Sequence, residues 1–308
     1  MILGLDTSNY TTSAALYDGD TLTEKRRMLR VQSGQRGLRQ SDALFQHISA
    51  LPQVLDELGP LPKLGAVCVS SRPRAVSGSY MPCFLAGLQM GKIMARALDI
   101  PFFQVSHQQG HLAAAILSAG QDELCDEPFL AWHVSGGTTE LLLVNPCFRA
   151  ERIGGTLDVC AGQIIDRVGV MLGLDFPCGP ELELLSYKKI KSLEGHMTVC
   201  DCEFSLSGLE NQAEAFIKAG EAQADIAYYI LRSIGYVLKR AGDSACTKYP
   251  GIPLLCCGGV MANGLIREML SSALFASPSA SADNAAGVAY LGHLLLSRAR
   301  GETMEWML

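Results

Sequence analysis

The chain has 308 residues, of which 48% are hydrophobic, and a formal net charge of −6. That length predicts two domains rather than one, and the acidic balance excludes a general electrostatic attraction to nucleic acid, so any such partner must use a local patch. No apolar run of about 20 residues is available to span a bilayer.

The start, Met1-Ile2-Leu3-Gly4-Leu5-Asp6, carries no basic leader, so the protein is expected to be soluble, unexported and cytoplasmic. Eleven cysteines in so apolar a chain read as reduced, partly buried thiols. No C-x-x-C pair occurs, and neither Cys200-Asp201-Cys202 nor Cys256-Cys257 has the spacing of a structural zinc site.

In chain order, residues 2–17 read as an apolar strand, a polar turn from Asp6 to Thr12 and a second strand from Ser13 to Tyr17. Lys25, Arg26, Arg27, Arg30, Arg36 and Arg39 follow without an intervening carboxylate, as a solvated face or a local nucleic-acid patch, and Arg72 with Arg74 forms a smaller group. Apolar positions from Leu44 to Leu58 predict a helix over 38–58, with Pro52 a kink or break. A buried strand over 64–69, a helix over 84–98 and a strand over 100–105 come next.

His107-Gln108-Gln109-Gly110-His111 follows directly. On a helix, imidazoles four residues apart share one face and can ligate one zinc or iron ion, given a third ligand from elsewhere; the alternative is that they cap or pack. Residues 129–144 repeat the first hairpin, with the turn Ser135-Gly136-Gly137-Thr138-Thr139 able to hold an anion on backbone N–H groups. Asp158 is placed to N-cap a helix through Leu172. A helix over 222–240, a strand over 253–257, Gly258-Gly259, a helix from about Asn263 and a last helix over 284–298 complete the chain.

A phosphate-binding hairpin in each half, with a strand-Gly-Gly-helix near the end, resembles the actin-like sugar kinase and heat-shock ATPase architecture. The resemblance implies an α/β, two-lobed actin-like ATPase (ASKHA) fold with duplicated mixed-sheet domains and a nucleotide between two lobes. The expected division is residues 1–105, with the final helix, about 285–308, packing back on them, and residues 106–284, carrying the metal and nucleotide contacts.

Motif order is more specific. His107-x-x-x-His111, Val134-Ser135-Gly136-Gly137, Gly155-Thr156-Leu157-Asp158, Asp166, Leu172-Gly173-Leu174-Asp175-Phe176-Pro177, Gly179-Pro180, Phe204-Ser205-Leu206-Ser207-Gly208-Leu209, Gly258-Gly259-Val260-Met261-Ala262-Asn263 and Asp283-Asn284-Ala285-Ala286 occur in sequence. This series closely resembles the tRNA threonylcarbamoyladenosine synthase family, once labelled glycoprotease or O-sialoglycoprotein endopeptidase, over nearly the whole chain.

The resemblance implies that His107, His111 and Asp283 hold one iron or zinc ion. It further implies that His133, Val134, Ser135, Gly136, Gly137, Asp166, Gly179 and Asn263 bind the adenylate part of a threonylcarbamoyl-AMP donor, or ATP or AMP. Glycines let a phosphate approach the backbone, Asp166 can accept from ribose hydroxyls, and Asn263 can donate or accept at a helix start. Each has a plainer alternative: a tight turn, a solvated helix face, an N-cap. The implied reaction transfers threonylcarbamoyl to the exocyclic amine of the adenosine 3′ of a tRNA anticodon, with a smaller paralogue and an ATPase subunit as partners. No residue stands out as the general base.

The chain also departs from the family pattern. Asn9, Tyr10 and Thr11 stand where acidic residues are usual, Ser71 to Val76 replaces a Gly-Pro-Gly loop, and Thr138, Val159, Gln163 and Glu210 replace His, Asp, Glu and Lys. These changes raise a second reading, a diverged paralogue that binds metal and adenine nucleotide but uses another acceptor or serves as a non-catalytic partner. The metallopeptidase of the old label needs a Glu after the first His to activate water, and Gln108 cannot act as that base.

Overall fold

The computed structural model describes residues 1–8, 10–30, 38–281 and 285–300. In chain order its helices and strands are β1 (Ile2–Ser8), β2 (Thr11–Tyr17), β3 (Leu22–Met28), α1 (Gln40–Glu57), β4 (Ala66–Arg72), α2 (Leu85–Leu98), β5 (Phe102–Ser106), α3 (His107–Ala119), β6 (Phe129–Val134), β7 (Thr139–Asn145), β8 (Arg149–Thr156), α4 (Ala161–Met171), α5 (Gly179–Ser186), β9 (Val199–Cys200), β10 (Glu203–Phe204), α6 (Ser207–Lys218), α7 (Gln223–Lys248), β11 (Leu254–Cys257), α8 (Gly264–Met269), β12 (Leu274–Phe275) and α9 (Ala286–Arg300). They form two compact units. The first comprises residues 1–126, 146–149 and α9, and the second residues 127–145 and 150–281.

The first unit is built on a sheet of order β3-β2-β1-β4-β5. β1 runs antiparallel to β2 and parallel to β4, which is parallel to β5. Every residue of β1 is buried, because α2 and α9 both pack on it. A strand covered on both faces needs a near-continuous apolar sequence, and Ile2-Leu3-Gly4-Leu5 supplies one. Leu3, Leu5, Leu16, Leu51, Val54, Val67 and Val69 form this unit's core.

The second unit repeats the plan. Its sheet has the order β12-β11-β6-β7-β8-β10-β9, with β6 antiparallel to β7 and parallel to β11, and β11 parallel to β12. Five strands of it, β8-β7-β6-β11-β12, thus match β3-β2-β1-β4-β5. The chain has the duplicated, mixed-sheet actin-like fold. Trp132, Leu130, Ile164, Val168, Ile230 and Val237 are among the residues of its core, each fully buried aliphatic side chain contributing about 1.5–3 kcal/mol relative to exposure.

The structure adds to or departs from the sequence reading at four points in the fold. The polar stretch 6–12 is not one long turn: Asp6, Thr7 and Ser8 are strand residues paired with Ser13, Thr12 and Thr11, and the polarity of Asp6 and Thr7 serves buried hydrogen bonds rather than a loop. β3 is a strand that the sequence does not predict, since Leu22–Met28 has exposed residues at all but one position and no apolar face. Pro52 lies inside α1 without ending it. α3 belongs to the first unit, not to a lobe beginning at residue 106, because it packs along α9.

That last contact depends on glycine. A Cβ at Gly287 would lie 1.9 Å from the Gly110 carbonyl oxygen and 2.6 Å from the Ala114 nitrogen, so the helix bearing both histidines meets α9 backbone to backbone. All eleven cysteines are thiols rather than disulfides. Burial pushes the Cys257 thiol up to about 12 and raises Cys256 as well, which makes both inert packing groups. Among the described residues no helix is long and apolar enough to cross a membrane.

Candidate active site

The first unit assembles its site at the β5-to-α3 junction. Ser106 caps α3 with a reciprocal box, its hydroxyl accepting from the Gln109 N–H while Gln109 Oε1 accepts from the Ser106 N–H at 2.8 Å. The cap fixes the first turn, so His107 and His111 share one face, with Nε2 atoms 2.9 Å apart. Behind them Asp6, buried in the central strand β1, accepts from His107 Nδ1 at 2.8 Å through Oδ2 and from the Ser70 hydroxyl at 2.6 Å through Oδ1. Since a carboxylate only accepts, Nδ1 of His107 carries a proton, and in the neutral ring the lone pair is on Nε2, facing His111.

Those residues fit a metal ion. Two nitrogens at about 2.1 Å from one ion sit about 3.0–3.4 Å apart at octahedral or tetrahedral angles, close to the observed separation. A ligating histidine held from behind by a carboxylate is the usual supporting arrangement. Asp283, the expected third ligand, lies outside the described residues, among which no cluster of three metal-ligating side chains occurs.

In the second unit the sequence-predicted residues fall into two groups. His133 and Val134 end β6, and Ser135, Gly136 and Gly137 form the turn to β7. The Ser135 N–H donates to the Thr138 carbonyl at 2.7 Å, and the Gly162 N–H donates to the Ser135 carbonyl at 3.2 Å. Thr139 Oγ1 accepts from the Ala161 N–H at 2.9 Å, so this turn sits on the N-terminus of α4. A Cβ at Gly162 would lie 2.7 Å from the Gly136 backbone; only glycine permits the approach. Among the described residues nothing lies within 4 Å of where a Cβ would project from Gly136 or Gly137, which leaves that side of the turn open.

The second group gathers on α5. Asp166 Oδ1 accepts from the Cys178 N–H at 2.9 Å, immediately before Gly179. Asn263 Oδ1 accepts from the Ile266 N–H at 3.2 Å as the N-cap of α8, and the next residue, Gly264, donates its N–H to Glu183 of α5 at 2.7 Å. Sequence reasoning misses Glu183, since nothing local marks it. The nearby thiols are poor nucleophiles: burial first, then Asp166, raises Cys178, and burial raises Cys160 despite a hydrogen bond with Thr139.

Asp158 does not cap α4, whose preceding residue Cys160 makes no side-chain cap bond. Its carboxylate instead accepts from the Leu206 N–H at 2.8 Å and the Ser207 N–H at 3.2 Å, capping α6 across the chain. Burial pushes its pKa up, but bonds from Ser207, Leu206 and Val159 outweigh that and hold it at about 2. Asp158→Ala is therefore expected to cost about 1 kcal/mol, the usual worth of a cap, in chemical denaturation at neutral pH. Because the folded pKa lies below the unfolded value of about 3.9, this contribution is present above pH about 4 and disappears as pH falls through about 2. The variant should flatten that part of the stability profile.

A family model for tRNA N6-adenosine threonylcarbamoyltransferase matches residues 44–290. The chain belongs to that family. It is 30% identical to the tRNA N6-adenosine threonylcarbamoyltransferase of Granulibacter bethesdensis, over 94% of this chain and 87% of the relative. Identity to the enzymes so named from Thiobacillus denitrificans and Thermus thermophilus is 32% and 33%, covering 95% and 88% of this chain and 90% and 84% of theirs. Among solved structures, T. kodakarensis HypF superposes with TM-score 0.61 at 13% identity, over 96% of this chain and 48% of HypF. The activator of the 2-hydroxyisocaproyl-CoA dehydratase from Clostridium difficile, with bound ADPNP, gives 0.56 at 13% identity over 99% and 98%. These structural likenesses show the fold alone. Family membership accounts for the motif order of the chain, while Asp6 and Glu183 enter only through the structure.

Proposed function

We propose that this protein transfers a threonylcarbamoyl group from threonylcarbamoyl-AMP to the exocyclic amine of the adenosine 3′ of a tRNA anticodon, in the cytoplasm, with a metal held by its first unit. The observation that carries the reading is the Asp6, His107, His111 series: a buried carboxylate sets the tautomer of one imidazole, and a second imidazole faces it at 2.9 Å. His107 and His111 hold the ion with Asp283 as third ligand. When bound, iron or zinc supplies Lewis acidity toward the donor's carbonyl or phosphate oxygens.

The second unit holds the adenylate. The Gly136 N–H of the open turn takes phosphate, beside the Gly137 N–H that donates to Ser135 Oγ at 3.3 Å, and Asp166, with Oδ1 bound to the Cys178 N–H, keeps Oδ2 for a ribose hydroxyl. His133, Val134, Ser135, Gly179 and Asn263 are the remaining adenylate contacts of this reading, and ATP or AMP would occupy the same ones. In the transfer, the adenosine amine forms a bond to the donor carbonyl carbon, the bond from that carbon to the phosphate oxygen breaks, and AMP leaves with the electron pair while the amine gives up a proton. A tRNA loop base, splayed from its stack, is readily presented to such chemistry.

One observation favours the diverged paralogue. Glu210, at a position where the family pattern has Lys, is paired with Arg167 of α4 at 2.9 Å, so that position is spent on an internal ion pair. Incubating the protein with unmodified tRNA, threonylcarbamoyl-AMP, iron and, where needed, the smaller paralogue and ATPase separates the readings. Metal-dependent incorporation is expected. Binding of metal and nucleotide without incorporation would select the paralogue.

A further inference from the structure

We propose that the outer strand β3 is a contact for the RNA backbone, with Arg26 aligned to the row of the sheet that ends on the metal site. This rests on the tRNA reading above and adds the surface that receives the acceptor. β3 is an edge strand, paired with β2 alone, and its Lys25, Arg26 and Arg27 are exposed. Arg27 is tied to α1 by Gln53 and Glu57. Lys25, Arg26, Arg30 and Arg39 have no ion pair among the described residues. In a chain of net charge −6, four cations without a direct counter-ion in one stretch form a local positive surface on an acidic molecule.

Register ties this surface to the chemistry. Asp6 pairs with Ser13, and Ser13 pairs with Arg26. Cross-strand partners share a face of the sheet, so Arg26 lies on the face of the carboxylate that holds His107, two strand spacings or about 10 Å from it. Lys25 alternates to the opposite face, beside Arg27 and α1. A polyanion lying along this edge is therefore neutralised from both faces and runs past the side that carries Asp6. Glu24 feels the charge of Arg26 but makes no direct ion pair with it among the described residues, so the guanidinium is available to a phosphate. An acidic protein adding a strand to the edge is the competing occupant. RNA is favoured because the cations lead toward the site where the proposed acceptor must react.

The test compares the full-length protein with Lys25→Ala/Arg26→Ala/Arg30→Ala, measuring affinity for unmodified tRNA against salt concentration. Each single-strand phosphate contact contributes about 0.7 to the slope of log K against log salt, so the triple variant should lower the slope by about 2 and Arg26→Ala alone by about 0.7. Loss of packing alone would not change the slope, and AMP binding serves as a check that the second unit is intact. An unchanged slope in Arg26→Ala and the triple variant, while wild type still modifies tRNA, would overturn this surface and leave the functional reading standing. Loss of association with a partner protein at an unchanged tRNA slope would reassign the edge to that protein. A wild type that neither binds nor modifies tRNA would overturn the reading on which the surface rests.

Discussion

Asp6→Asn is expected to weaken metal binding by about ten- to one-hundredfold, the usual cost of losing the group that supports a ligating histidine. The carboxylate accepts from the Ser70 hydroxyl at 2.6 Å and from His107 Nδ1 at 2.8 Å. An asparagine has one acceptor oxygen, so one of those donors would meet an NH2 group instead. His107 would then lose either its orientation or its tautomer, and the lone pair on Nε2 would no longer be held toward His111. Equilibrium metal titration, with circular dichroism to confirm folding, reads the effect. Wild-type affinity in a folded variant would remove Asp6 from the site.

The second large effect is mechanical. Gly287→Ala places a methyl group 1.9 Å from the Gly110 carbonyl oxygen and 2.6 Å from the Ala114 nitrogen. Both are backbone atoms, so no side-chain rotation relieves the clash and α3 must move off α9. Overpacking of this kind costs about 1–3 kcal/mol, which in a domain of about 150–250 residues lowers Tm by about 2–12 °C. Because α3 carries both histidines, metal affinity should fall with stability. A variant with wild-type melting and wild-type metal binding would show that the helices tolerate separation and that their close approach does not set the histidine pair.

Legibility in the sequence follows the range of the interactions. Both hairpins, the parallel strands and the helices of strong apolar period are readable, because burial on a sheet face or a helix stripe writes itself into local pattern. β3 leaves no such pattern: Thr-Glu-Lys-Arg-Arg resembles a charged loop until β2 pairs with it. Asp6, Thr7 and Ser8 look like a turn because buried polar strand residues are rare, and the partners of Asp6 and Thr7, namely Ser70, Cys83 and His107, lie 64 to 101 residues away. A local rule assigns Asp158 to the adjacent helix, whereas its partners are 48 and 49 residues on. Family motif order supplies the candidate ligands and nucleotide contacts; periodicity alone would leave His107 and His111 as a pair without a purpose.

The central claim is that the His107 and His111 pair supports transfer to tRNA, and the most direct measurement is threonylcarbamoyl incorporation into unmodified tRNA by wild type and by His107→Ala, with donor adenylate, iron and the partner subunits supplied. Metal-dependent incorporation by wild type and its loss in a folded His107→Ala protein is the expected result. Equal incorporation by the two proteins would contradict the account, since the imidazole held by Asp6 would then have no part in the reaction.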